Sequence, residues 1–136
     1  MRRALLALTI LLFAWGCDNG PTEPNRTQTL TGTLARSGFT ITTLSMQHTG
    51  NLRVTVNDLA TVAADGTTTA ANGGISFTTG SGDATTCTAA GNFGLLKGSV
   101  ISLGLNRGDY CLKLTEPTAV AEGSSLRYDI QLEITD

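Results

Sequence analysis

Hydrophobic positions fall into two regimes along this chain: one unbroken apolar run near its start, and short alternating stretches from about residue 29 onward. The run is Ala4 to Phe13, preceded by Arg2 and Arg3 and followed by the small residues Ala14 and Gly16 around Trp15. A basic start, about ten apolar residues and a small-residue boundary make an export signal over residues 1–16, too short for the roughly 20 residues of a membrane span. From Thr29 the spacing becomes period two, the side-chain period of strands with one buried face. Leu30, Gly32 and Leu34 share a face, and after a turn at Ser37-Gly38 a second strand begins with Phe39 and Ile41. Leu44 and Met46 have the opposite parity, which predicts a bulge or bend near Thr42 and Thr43. Leu52, Val54 and Val56 then alternate with Arg53, Thr55 and Asn57 as a half-buried strand. Residues 60–74 are small and polar and read mostly as loop, with a strand or helical turn admissible over Ala60 to Ala64.

Farther on, Ile75 to Thr79 reads as a strand and Gly80 to Ala84 as a turn. Val100 to Leu105 and Tyr110 to Leu114 flank Asn106-Arg107-Gly108-Asp109, the spacing of a β-hairpin, with Cys111 and Lys113 on its outward face. The last strand alternates longest: Leu126, Tyr128, Ile130, Leu132 and Ile134 inside, with Arg127, Asp129, Gln131 and Glu133 outside. Such regularity predicts an all-β domain over residues 29–136, an antiparallel β-sandwich.

Between the signal and the domain, residues 17–28 are polar and hold Pro21 and Pro24, two of the chain's three prolines. They read as a flexible tether whose ends stand roughly 20 Å apart. Ala14-Trp15-Gly16-Cys17 resembles a bacterial lipobox, which implies that Cys17 is acylated and becomes the mature N-terminus. Ordinary signal-peptidase cleavage would cut the same bond and leave the cysteine unmodified. The chain has three cysteines, and an exported protein must account for an odd one. Lipidation of Cys17 leaves Cys87 and Cys111 to form a disulfide, with Cys111 pinning the glycine-rich segment from Thr88 to Gly98 against the sheet. The membrane, reached through N-terminal acyl chains, is the first partner this reading implies.

Charge narrows the function classes. Removing Arg2 and Arg3 with the signal lowers the basic residues from 9 to 7 against 11 acids, so the net charge goes from −2 to −4. The remaining Lys and Arg are scattered, which argues against nucleic-acid binding. Chemistry is sparse as well. His48 is the only histidine and reads as an exposed turn residue, with no Gly-x-Ser-x-Gly elbow to accompany it. One histidine and a disulfide pair do not supply a zinc site. Asp58, Asp65, Asp83 and Asp109 read as turn formers without the spacing of a calcium loop, and Gly80, Gly82, Gly91, Gly94 and Gly98 match no phosphate-binding loop. No cofactor or metal is expected. For sugar stacking, Phe39, Phe77, Tyr110 and Tyr128 have core-facing parity, which leaves Phe93 as the one ring expected at the surface.

The stretch Gly98-Ser99-Val100 through Gly108-Asp109-Tyr110-Cys111-Leu112-Lys113-Leu114, followed by Tyr128-Asp129-Ile130-Gln131-Leu132, resembles the end of the bacterial pre-peptidase C-terminal domain. Phe39 and the Leu52 to Val56 strand are similar to its earlier half. The resemblance implies a jelly-roll-like sandwich of the kind appended to secreted hydrolases, here with no catalytic domain attached. The expected protein is therefore a lipid-anchored protein of the bacterial cell envelope, not an enzyme. Its sandwich would be a non-catalytic binding or structural module whose partner is an envelope protein or polysaccharide. The alternatives are an accessory subunit of a secreted hydrolase and a small hydrolase of unfamiliar type using loop carboxylates.

Overall fold

A computed structural model of the protein describes residues 25–136. The export signal, Cys17 and the tether up to residue 24 lie outside the described residues. The alternating segments form strands β1 (Arg26–Ala35), β2 (Phe39–Met46), β3 (Gly50–Val62), β4 (Thr68–Ala70), β5 (Ile75–Gly82), β6 (Cys87–Leu95), β7 (Val100–Leu105), β8 (Gly108–Thr115) and β9 (Ser125–Thr135). Their pairing is nested: β1 with β9, β2 with β8, β3 with β7, and β5 with β6, all antiparallel. The chain thus runs as one long ribbon that doubles back at the β5–β6 turn. Rolling that ribbon lets β9 also pair β3 and β8 also pair β5, giving sheets β1-β9-β3-β7 and β2-β8-β5-β6, with β4 added beside the end of β3. This is a jelly-roll sandwich.

The core lies between the sheets. One sheet contributes Leu34, Leu52, Val54, Val56, Leu59 and the inward row of β9, and the other contributes Leu44, Met46, Ile75, Phe77, Leu95, Leu112 and Leu114. Each such side chain contributes about 1.5–3 kcal/mol by leaving water. Opposite Tyr128, β1 carries Gly32, where a Cβ would come within 2.7 Å of the tyrosine oxygen. The glycine makes room for the ring.

Several expectations need correction. Val100–Leu105 and Tyr110–Leu114 do not form a hairpin: β7 pairs β3 in one sheet, and β8 lies between β2 and β5 in the other. Period two reports which side chains face inward, and that pattern is the same whether the next strand lies alongside or across the core. No bulge interrupts β2, whose register with β8 runs unbroken from Phe39↔Thr115 to Met46↔Gly108. Leu44 and Met46 set the inward parity, so Phe39 and Ile41 face outward. The parity change sits instead in β3, where the register shifts between Val56 and Asp58 and turns Leu59 into the core. Strand β3 continues to Val62 and β4 follows, so 60–74 is only partly loop. Gly80–Gly82 belongs to β5, the Thr88–Gly98 segment is mostly β6, and Arg26–Gln28 of the expected tether pair with β9.

Cys87 and Cys111 form a disulfide with Cα atoms 5.6 Å apart, although β5 lies between their strands. Two strand spacings would be about 9.6 Å, so the β5–β6 hairpin must bend. It does so where its register shifts between Thr79 and Gly80. Gly80 carries no Cβ there, and one would collide with the Thr88 carbonyl oxygen. The bent tip covers the outer face of β8 and leaves Cys111 fully buried. The bridged residues are 24 apart in sequence, a loop closure that contributes roughly 3.5 kcal/mol in the chain-entropy model. Replacing both cysteines by serine is expected to lower unfolding free energy by about that amount in urea titration, with the far-ultraviolet spectrum of the native state unchanged.

Candidate functional site

The nested strands sort their connections to two ends. Residues 36–38, 63–74, 96–99 and 116–124 meet at one end, while 47–49, 83–86 and 106–107 meet at the other, beside Arg26 and Asp136. At that second end one Asp136 carboxylate oxygen accepts from Arg26 (2.8 Å) and from the Gln47 amide (2.6 Å). Strand β1 is 10 residues long, and at about 3.3 Å per residue it sets the 36–38 turn roughly 30 Å from Arg26.

The far end is organised by Glu116, a residue only 1% exposed. Burying a carboxylate is unfavourable unless its lone pairs are satisfied. One oxygen accepts from the backbone amides of Ser37 (2.7 Å) and Thr118 (2.9 Å), the other from Ala119 (2.5 Å) and Val120 (3.0 Å). Burial works against the charge, yet the Ser37, Val120, Ala119 and Thr118 amides outweigh it and hold the carboxyl below the ordinary glutamate range. The Glu116 amide in turn donates to the Gly38 carbonyl at 2.9 Å. Ser37 and Thr118 have φ of 58° and 66°, sparsely populated conformations that persist only when neighbours hold them. Their hydroxyls lie 3.0 Å apart. One buried charge therefore fastens the β1–β2 turn to the β8–β9 connection. Its four acceptor positions are all occupied, so Glu116 has no lone pair left for proton transfer.

Around this cradle lie two depressions. A cleft of about 260 Å³ is lined by Thr61, Thr69, Asn72, Gly73, Ala119 and Val120, among others. A groove of about 420 Å³ on the outer side of the β2-β8-β5-β6 sheet is lined by Gly74, Ser76, Asn92, Gly94, Leu96 and Pro117, together with Ile75. Of the exposed large hydrophobic residues among those described, Phe39 (56%) and Leu96 (60%) stand at this end, whereas Val100 (48%) lies opposite Thr55 in the middle of the other sheet. Grouped exposed apolar residues mark contact surfaces, whereas scattered ones do not.

The residues singled out from sequence are dispersed. His48 is exposed in the 47–49 connection, at the end opposite Glu116. Asp58 lies in β3, not in a loop, and pairs with Lys97 (2.7 Å) and Arg127 (3.5 Å), chiefly the Lys97 bond holding its carboxyl low. Asp65 caps its own turn through the Thr67 amide, and Asp83 does so through Thr85 and Thr86; those hydrogen bonds lower both carboxyls. Asp109 sits in β8. Among the described residues no three His, Cys, Asp or Glu side chains converge as metal ligands would. The aromatic expectation reverses: Phe93 packs against the core, and Phe39 is exposed with the Lys113 ammonium 4.3 Å from its ring centroid. The unbroken β2 register turned Phe39 outward. Glu116 was not anticipated at all, because nothing in its local sequence separates a buried acceptor from a solvated loop acid.

No family model matches the chain, and no curated protein matches it by sequence. Solved structures do share its fold. PliG of Aeromonas hydrophila, a periplasmic inhibitor of g-type lysozyme, aligns over 82% of this chain and 88% of its own, with a TM-score of 0.54 and 11% identity. The Yersinia pseudotuberculosis-derived mitogen aligns over 82% and 86%, with a TM-score of 0.51 and 12% identity. At these identities the likeness is one of fold, a small β-rich domain, and the resemblance to pre-peptidase domains is matched to that level alone.

Replacing Glu116 by Gln puts an amide NH2 where two backbone donors need an acceptor, and it is expected to lower stability at pH 7 by about 3 kcal/mol. The folded carboxyl is lowered, so its contribution is complete above the unfolded value of about 4.3 and disappears as pH falls through the folded one. Urea midpoints taken from pH 7 downward should show the wild type's advantage shrinking below about pH 4.3, with Asp58, Asp65 and Asp83 leaving a residual slope in the variant.

Proposed function

We propose that this is a lipid-anchored protein of the bacterial envelope, attached through Cys17, whose non-catalytic jelly roll holds its loop end toward a partner protein. The observation that carries the reading is the separation of the two ends. The tether joins the domain at Arg26, and the Glu116-fastened loops stand roughly 30 Å away at the far end of β1. A membrane anchor at the tether therefore presents those loops outward. The Cys87–Cys111 disulfide supports an oxidising, extracytoplasmic compartment, and it leaves Cys17 as the odd cysteine for acylation. Rigid loops on a fixed scaffold favour binding, because little ordering remains to oppose association. PliG, which shares the fold and is itself an inhibitor of a lysozyme, supports a protein-binding reading.

Catalysis is disfavoured by how the polar groups are engaged. Glu116 is saturated by amides, Asp58 is held by cations, Asp65 and Asp83 cap their own turns, and His48 is at the tether end. The accessory-subunit alternative differs only in making the partner a secreted hydrolase.

The mature protein is expected to carry acyl chains on Cys17 by intact mass, and to partition with membranes. In the native envelope, a photo-crosslinking residue at Glu122, on the loop end, should capture a discrete protein, whereas one at His48 should not. A water-soluble product with unmodified Cys17 would contradict anchoring, and capture from position 48 alone would contradict the orientation.

A further inference from the structure

The two outer faces of the sandwich differ in charge. On the β1-β9-β3-β7 face, Arg53 pairs with Glu133 (3.5 Å), and Asp58 with Lys97 and Arg127. Charges cancelled in pairs and scattered among threonines make a solvated surface. On the other face, strand register sets out the outward rows Phe39–Thr115–Ser76–Gly94 and Ile41–Lys113–Thr78–Asn92. Lys113 is the one charge in those rows, and it takes part in none of the ion pairs among the described residues. Charge depletion around exposed apolar anchors is the composition of an interface centre.

We infer that this face, at the loop end, takes an extended protein segment carrying an aliphatic or aromatic side chain about four residues from an acidic one. The inference rests on the binding reading above and names the chemistry of the partner. The apolar side chain enters the groove between Leu96 and Pro117, where Gly94 leaves open space: a Cβ there would meet nothing within 4 Å. On the groove wall, Asn92 accepts from Ser76 (2.7 Å) and Thr78 (3.2 Å) through Oδ1, which leaves its NH2 group to donate to a backbone carbonyl of the segment. From β6 to β2 is three strand spacings, about 14 Å, which an extended chain crosses in about four residues. At the far side it reaches Lys113 over the Phe39 ring, and a carboxylate completes that site. A polysaccharide is the poorer occupant. The exposed ring on this face already has Lys113 against it, and the groove walls are aliphatic rather than aromatic.

The test uses the full mature chain in nanodiscs, panned with phage-displayed random 12-residue peptides. Enriched peptides should place Leu, Ile, Phe or Trp three to five positions from Asp or Glu. A synthetic copy of the leading peptide should bind at least about tenfold more weakly to the Leu96→Asp and Lys113→Glu variants. Both positions are surface ones, and thermal melts confirm folding. Changing the peptide's acid to lysine should restore binding to Lys113→Glu. Enrichment without this spacing, no enrichment, or affinity unchanged in both variants overturns the inference. So does binding to purified peptidoglycan that Leu96→Asp abolishes while peptides fail. If the partner captured from position 122 binds both variants normally, the face is wrong while the binding reading stands.

Discussion

The structure depends first on pairing between the two ends of the described chain. Strand β9 hydrogen-bonds β1 on one side and β3 on the other, and every inward residue of its alternation, from Leu126 to Ile134, is buried. Until that last strand docks, β1 has no neighbour in its sheet and one hydrogen-bonding edge of β3 is unpaired. Contacts between such distant segments are entropically expensive to bring together, and they form only because both faces of the resulting sheet are then settled at once. The nested order of the remaining pairs follows from this closure.

Closure also sorts the connections to the two ends of the sandwich. Strand ends alternate between the two poles, so Arg26 and the disulfide-bent hairpin tip share one pole while the 36–38 and 116–124 connections share the other. At the second pole a buried carboxylate holds Ser37 and Thr118 in conformations their side chains disfavour. The 36–38 turn and the 116–124 connection are thereby tied to each other.

Much of this architecture is legible in the sequence, and the reasons for its failures are physical. The β9 alternation, and that of β3 as far as Val56, name their own inward residues, because period two and a single buried face leave no other register until the shift before Asp58. Cysteine parity pointed to Cys87 and Cys111, which the structure joins. Partner choice was not legible: β7 and β8 read as a hairpin because a short connection between two alternating strands looks the same whether it turns within a sheet or arches between sheets. Phe39 misled for a related reason, since its parity was judged against Ile41 rather than against the Leu44 and Met46 that reach the core. Glu116 was hidden more thoroughly. Its role depends on amides from residues 37 and 118–120, which only the tertiary fold brings together.

An anchor at Cys17, as proposed, would make the Glu116 end stand away from the membrane. Energy transfer to acceptor lipids, from a donor attached at position 122 or at position 48 of the bilayer-reconstituted mature chain, measures this directly. Transfer should be strong from position 48 and much weaker from 122, in keeping with a separation of roughly 30 Å along β1. Equal transfer from both, or stronger transfer from position 122, would contradict the account.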